Sequence, residues 1–415
     1  MPLTQRVGRD GKNAEQARQV TCMTAQLPPL RLTGATILRD GMLQRRSLVI
    51  EGGFISKGPR PEVDLSGYLI LPGIIDLHGD AFERQIAPRP SAPFPIASGL
   101  RATDREAASH GVTTAWLAQC WSWEGGMRGP DFAEAVLREL DSYRPQALTD
   151  LRLQIRCETH MPETRDRLLA AVTRHRVDYV VFNNHLPEAL EVAERAPGRL
   201  AAWADRAGDA PQVFRSRLQA AKDRAREVPR HLCALAEAFD AMDIRYGSHD
   251  DPDGETREYY RLIGARIAEF PTSVSAAKLA RACNDPVLMG APNVVRGGSQ
   301  AGNVSAQHLV AAGLCDALVS DYHYPCLAEA AWVLVDKGLR GLAQAWAMIS
   351  TTPAEIMGLA DRGTLDHGKR ADFVVVNEAT RAIEATVSGG RLTYLAGGAG
   401  ARMVSAIQET RMAAE

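Results

Sequence analysis

No stretch of this 415-residue chain reaches the roughly 18–20 apolar residues needed to span a bilayer. Charge of one sign is also lacking. Lys and Arg number 48 against 50 Asp and Glu, a formal net charge of −2, so nothing predicts a nucleic-acid footprint or an electrostatic membrane anchor. Any anion site must then be built locally. There is no CxxC pair. The seven cysteines (Cys22, Cys120, Cys157, Cys233, Cys283, Cys315, Cys326) are scattered and odd in number, and read as reduced thiols of a cytoplasmic protein. Residues 1–28 lack the apolar core of a secretory signal. They read as a disordered arm or an overlong start, with Met23 as another first residue; a basic transit peptide is disfavoured by Asp10 and Glu15. Internal repeats and low-complexity tracts are missing as well.

What is present is a composition of 45% hydrophobic and 24% charged residues, ordinary for a soluble enzyme, in a chain long enough for a large α/β barrel plus an accessory layer. Between residues 72 and 360, eight apolar strand-like runs alternate with amphipathic helices: Leu69–His78, Val112–Gln119, Leu151–Glu158, Asp178–His185, Ile244–His249, Arg266–Phe270, Val287–Ala291 and Ala317–Asp321. That alternation predicts a (β/α)₈ TIM barrel with its site at the C-terminal strand ends. Residues 29–71 and 361–400 instead read as short strands with Gly-Gly hairpin turns, at Gly52-Gly53 and Gly389-Gly390. Neither half has enough strands to be stable alone, so the two chain ends are expected to share one small β-sandwich. The helical insert between residues 188 and 241 is expected to cover the site or form a subunit contact.

The chemistry lies at the strand ends. Leu71-Pro-Gly-Ile-Ile-Asp-Leu-His78-Gly-Asp80 stops at an imidazole and a carboxylate on one strand face. Glu158, His185, His249 and Asp321 close later runs. A lone strand-end His is more often structural, but six such residues in succession predict metal binding. Imidazoles and carboxylates together suit Zn²⁺, with Mn²⁺ or Fe²⁺ as alternatives. In this reading His78 and Asp80 hold one ion, His185 and His249 a second, and Glu158 bridges them. Asp321 ligates weakly and accepts a proton from water. Cys157, next to Glu158, should point away from the mouth. His160 and His323 lie near the mouth as candidate substrate contacts. The segment Val287–Ser305 turns from strand to loop at Arg296, Gly297, Gly298, Ser299 and Asn303, whose backbone amides and guanidinium suit phosphate oxygens. Arg89, between Pro88 and Pro90, is a second candidate anion contact.

These residues resemble the amidohydrolase superfamily, and within it the diphosphatases of phosphonate metabolism. The likeness rests on the Leu71–Asp80 strand with Glu83-Arg84 and Pro88-Arg89-Pro90, on Arg156-Cys157-Glu158, Asn184-His185 and Ser248-His249-Asp250-Asp251, and on Ala268–Thr272, Val287–Ser299, Gly302-Asn303-Val304 and Ser320-Asp321-Tyr322. It extends over about residues 30–397. It implies a metal-dependent hydrolase acting on a ribose 1-alkylphosphonate 5-triphosphate, releasing pyrophosphate by attack of water at the phosphorus nearest the sugar. It carries the metal roles onto His78, Asp80, Glu158, His185, His249 and Asp321. His185 and His249 fall one strand earlier than the superfamily's common positions, which leaves either an unrecognised strand at residues 200–204 or a different ligand set, with Glu269 in reserve. The competing readings are a deaminase or cyclic-amide hydrolase on the same binuclear scaffold, and a barrel that has lost its ions. The expected partner is a small anionic substrate, with no nucleic acid or membrane and with a homo-oligomer left open.

Overall fold

The run expected as one strand from Leu69 to His78 is two strands in two different sheets, divided at Gly73. A Cβ there would lie 2.5 Å from the Thr113 side chain, and the Gly73 amide donates to the Asp372 carbonyl at 3.0 Å. The structure, a computed structural model, describes residues 26–89, 92–299 and 301–412. Residues up to 25, with Cys22 and Met23, and Pro90 lie outside the described residues.

Before the break run β1 (Leu30–Thr33), β2 (Thr36–Arg39), β3 (Met42–Arg45), β4 (Leu48–Glu51), β5 (Phe54–Ser56), β6 (Glu62–Asp64) and β7 (Tyr68–Pro72). After it come β8 (Ile74–Gly79), β9 (Val112–Trp121), β10 (Asp150–Glu158), β11 (Tyr179–Asn183), β12 (Arg245–His249), β13 (Ile267–Glu269), β14 (Val287–Gly290) and β15 (Ala317–Val319). The chain closes with β16 (Phe373–Asn377), β17 (Ile383–Ser388) and β18 (Arg391–Leu395).

Strands β8 to β15 form one parallel sheet in sequence order, and a bridge between Gly79 and Asp321 joins its first and last strands. This is the eight-stranded barrel. Helices cover it through one extended apolar core, to which Cys157 contributes, so its thiol faces away from the mouth as expected. Residues 200–204 are helical, within Pro197–Ala207, so the strand suspected there does not shift the count.

The sandwich draws on both chain ends. Its four-stranded sheet has the order β5-β4-β1-β6 and its six-stranded sheet the order β18-β17-β16-β7-β2-β3, with Leu71 of β7 opposite Val374 of β16. The two Gly-Gly turns have positive φ at both positions, 60° and 88° at Gly52-Gly53 and 58° and 72° at Gly389-Gly390, as two-residue hairpins require. They also pack on each other: a Cβ on Gly390 would lie 2.5 Å from the Gly53 Cα. The helix Gly397–Met412, which the strand pattern did not foretell, adds Ala399 and Met403 to the sandwich core.

Between β11 and β12 the insert folds as helices Leu186–Arg195, Pro197–Ala207 and Pro211–Asp223 before the barrel helix Val228–Ala241. It is seated on the loop after β9, where Arg217 Nη1 donates to the Glu124 carbonyl at 3.1 Å. No helix among the described residues is long and apolar enough to cross a membrane.

Candidate metal centre

The barrel seam carries the first ligand candidates. Buried Asp76 accepts from the Ser320 amide at 2.8 Å and its hydroxyl at 2.6 Å, which fixes β8 against the chain leaving β15. Just above, the Asp80 amide donates to the Asp321 carbonyl at 2.7 Å, and the Asp321 amide to the His78 carbonyl at 2.9 Å. Asp250, Phe270 and Asp321, following β12, β13 and β15, have φ of 59°, 48° and 57°. Left-handed backbone at non-glycine residues is costly and concentrates at functional sites.

Glu269, the reserve candidate, lies at the centre. Its Oε2 is 3.0 Å from Nδ1 of both His78 and His249, while Oε1 accepts from Gln154 Nε2 and Tyr179 Oη, each at 2.6 Å. An ionised carboxylate only accepts, so both imidazoles carry their proton on Nδ1 and keep Nε2 as an electron-pair donor. The two rings stack with centroids 5.2 Å apart. Burial opposes the Glu269 charge, but His78 and His249 outweigh it and hold this carboxyl well below the usual range. Burial likewise opposes a charge on His78, and Glu269 overrides it to raise that ring. His249 goes the other way: burial lowers it, and the Arg156 guanidinium adds to the effect.

Among the described residues, three groups place their ligand atoms within 4.8 Å of one another: His78, Asp80 and Asp321; His78, His249 and Glu269; and Glu124, Glu158 and His185. Imidazole with carboxylate is the donor chemistry of Zn²⁺, Mn²⁺ and Fe²⁺, and the Nε2-free tautomer that Glu269 imposes suits His78 as a ligand. The seam group therefore fits a divalent ion. Asp321 is pushed up to about 7, by burial first and then by Asp80.

The bridging position drawn for Glu158, with His185 and His249 sharing an ion, is not the arrangement found. Glu158 accepts from Asn183 Nδ2 at 2.5 Å and the His185 amide at 3.2 Å, and its Oε1 is 2.9 Å from His185 Nδ1. These tethers pair it with His185 and Glu124 instead of His78. The other cause is Arg156, one inward position earlier on β10. Its Nη2 is 3.0 Å from His249 Nε2 and its Nη1 is 3.8 Å from Asp80, so a guanidinium stands where a shared ligand set would need a free imidazole. Hydrogen bonds to Glu124 and Glu158 overcome burial and raise His185 to about 9. Bonds from His185 and Arg128 likewise overcome burial at Glu124 and lower it to about 2.

Arg156 and Glu124 were missed in the sequence. Glu124 follows β9 closely, and the rule of ligands at strand ends would have found it had that strand been read to Trp121. Arg156 stands two residues before Glu158, so strand alternation already puts it on the inward face; it was missed because only ligand-type residues were counted there.

On the β12–β15 side a cavity of about 200 Å³ is lined by Asp250, Thr272, Arg296, Ser299, Asn303 and Asp321, with Gly298. The proposed anion loop thus faces a site carboxylate. Residues 291–296 form a short helix instead of loop. Gly297 stops that helix at φ 82° and does not line the cavity. Arg89 is exposed and also lies off it. His160 is buried against Thr159 Oγ1 at 3.0 Å, and lines a separate cavity beside Trp123.

An eight-stranded parallel barrel with imidazole–carboxylate groups at its C-terminal mouth and a sandwich from both chain ends defines a barrel hydrolase of the amidohydrolase type. Solved structures agree on the fold. An N-acetylglucosamine-6-phosphate deacetylase from Pasteurella multocida superposes with TM-score 0.57 at 12% identity, covering 88% of this chain and 99% of that one. A beta-aspartyl dipeptidase from Fervidobacterium islandicum AW-1 gives 0.59 at 13%, covering 89% and 97%. No family model matches the chain. It belongs to the family of the alpha-D-ribose 1-methylphosphonate 5-triphosphate diphosphatase of Escherichia coli (strain K12), with which it is 32% identical over 343 residues, 80% of this chain and 90% of that protein.

Proposed function

We propose that this chain hydrolyses the triphosphate of a ribose 1-alkylphosphonate 5-triphosphate, leaving a 5-phosphate on the sugar and releasing pyrophosphate. The observation that carries the reading is the 32% identity to the diphosphatase across 90% of its length. The cavity of Arg296, Ser299 and Asn303 beside Asp321 supports it, since a polyphosphate needs backbone amides and a guanidinium next to the reacting phosphorus.

His78, Asp80 and Asp321 would hold one divalent ion, and Glu124, Glu158 and His185 a second, with Zn²⁺ favoured. Such an ion makes water acidic enough to act near neutral pH and offsets phosphoryl charge. The protein's own groups do the rest. Asp321 accepts the proton of the attacking water, and Glu269 holds His78 and His249 in one tautomer. The Arg296 loop binds the departing pyrophosphate, whose bridging P–O bond breaks as the new one forms.

The test is phosphorus NMR of the purified protein with ribose 1-methylphosphonate 5-triphosphate in ¹⁸O-water. Pyrophosphate as the product, with the label in the sugar phosphate alone, is expected. Orthophosphate release, label in pyrophosphate, or ammonia release from cyclic amides without triphosphate turnover would reject the reading.

A further inference from the structure

A second cavity, of about 270 Å³, opens between the short helix Ala81–Ile86 after β8, the loop after β9 and the helical insert. It carries Arg84, Arg128, Arg206 and the Trp203 indole, with Glu83 and Glu124 on the side of the candidate ligands. Three guanidinium groups face two carboxylates, and they are not equally occupied. Arg128 is paired with Glu124 at 2.9 Å. Arg84 donates to the Tyr322 carbonyl at 3.3 Å and lies 3.8 Å from Glu106. Arg206, in the last turn of Pro197–Ala207, has no hydrogen bond or ion pair among the described residues. Trp203 lies one turn earlier on that helix, so indole and free guanidinium enter the cavity from one helix face.

This cavity shares no residue with the one beside the Arg296 loop, yet the two are linked. Tyr322 receives Arg84 on its carbonyl, and its hydroxyl lies 3.5 Å from Arg296 Nη1. Two separate arginine-bearing cavities with carboxylate–imidazole groups beside both match a substrate that is anionic at both ends and cut between them. We propose that the Trp203–Arg206 cavity is a second anion subsite, which takes a phosphonate borne by the sugar's far end, with Arg206 making the charged hydrogen bonds and Trp203 covering the sugar or alkyl group. This inference rests on the proposed function for the identity of the substrate. It assigns the insert a role in selecting that substrate.

The test compares Arg206→Ala and Arg206→Lys with the unaltered protein on two substrates: ribose 1-methylphosphonate 5-triphosphate, and the methyl riboside 5-triphosphate that lacks the phosphonate. A lost hydrogen bond to a charged group is worth about tenfold or more. Arg206→Ala should lower kcat/KM by that much on the first substrate, chiefly through KM, and by far less on the second, with Arg206→Lys recovering part. Equal losses on both substrates, or none, would overturn the subsite, because deleting the arginine and deleting the phosphonate must then be additive. Calorimetry with ribose 1-methylphosphonate 5-phosphate needs no turnover and separates the two ideas. If the unaltered protein binds it but hydrolyses neither triphosphate, the reaction proposed above fails. If Arg206→Ala binds it as tightly as the unaltered protein, or neither binds it, the subsite fails.

Discussion

Glu269 joins four side chains through one buried carboxylate, and two of them are candidate ligands. An amide in its place keeps the shape but removes the charge and turns one acceptor oxygen into a donor. Either the two imidazoles that share Oε2 or the Gln154 and Tyr179 donors on Oε1 then lose their acceptor, and the Nδ1–H tautomer of His78 is no longer enforced. Loss of an orienting partner of this kind costs about 10- to 100-fold in metal affinity. Glu269→Gln should therefore weaken Zn²⁺ binding by that factor in a chelator-competition titration, and unchanged affinity would remove its orienting role. His231 makes a contrasting case far from the site. It is buried on the helix Val228–Ala241, and neither ring nitrogen has a hydrogen-bond partner among the described residues. Burial, aided by Arg165, lowers it from 6.5 to about 4. The unfolded chain thus takes up this proton first. Stability owed to the neutral ring is whole above pH 6.5 and drains away as the pH falls toward 4. At about 1.4 kcal/mol per pH unit, the loss is about 3.5 kcal/mol. Denaturant titrations at pH 7 and 4.5 should show His231→Leu losing 2–3 kcal/mol less than the unaltered protein, by about that same conversion; equal losses would mean the ring is not buried neutral.

Within single elements, the short helix Ala291–Arg296 is the most exposed to test. Pro292 starts it, Gly297 ends it, and Asn293 ties the loop beyond by donating to the Val304 carbonyl at 3.3 Å and accepting from the Ala306 amide at 3.0 Å. Arg296 is thereby presented at the rim of the cavity beside Asp321. Arg296→Ala should raise KM for the triphosphate about tenfold with a smaller change in kcat, and unaltered steady-state kinetics would remove the loop from the substrate. In the sequence this segment was legible as an anion loop from its glycines and arginine. Its helical turn was not, because six residues are too few for a periodic signal. The same limit governed the rest. Apolar runs ending in His, Asp or Glu announced the barrel and placed His78, Asp80, His249 and Asp321 at one end of it. Gly73 could not be read as a break between sheets, since the obstacle is Thr113, forty residues away. Nor could the pairing of Glu158 with Glu124 be read, because it depends on how far β9 and β10 project beyond their neighbours.

Closure of the barrel ties the site to the stability of the whole fold. Its first and last strands meet through the Gly79–Asp321 bridge, the Asp80 and Asp321 amides and the Asp76–Ser320 pair. His78 and Asp80 come from one side of that seam and Asp321 from the other. An ion held by these three would therefore cross-link the two ends of the sheet and bind the folded chain only, since the ligands lie more than two hundred residues apart in sequence. A ligand present at a thousand times its Kd stabilises the native state by about 4 kcal/mol. Dialysis against a chelator should accordingly lower the thermal midpoint by several degrees, and returning Zn²⁺ or Mn²⁺ should restore it. Asp321→Asn is the control, because it weakens the ion site while leaving the backbone bonds of the seam in place. In that variant the midpoint should already be low and should respond little to chelator. If the unaltered protein keeps its midpoint without metal, while its metal content measured by mass spectrometry falls to zero, the seam is held by its hydrogen bonds alone and the ion contributes nothing to closing the barrel.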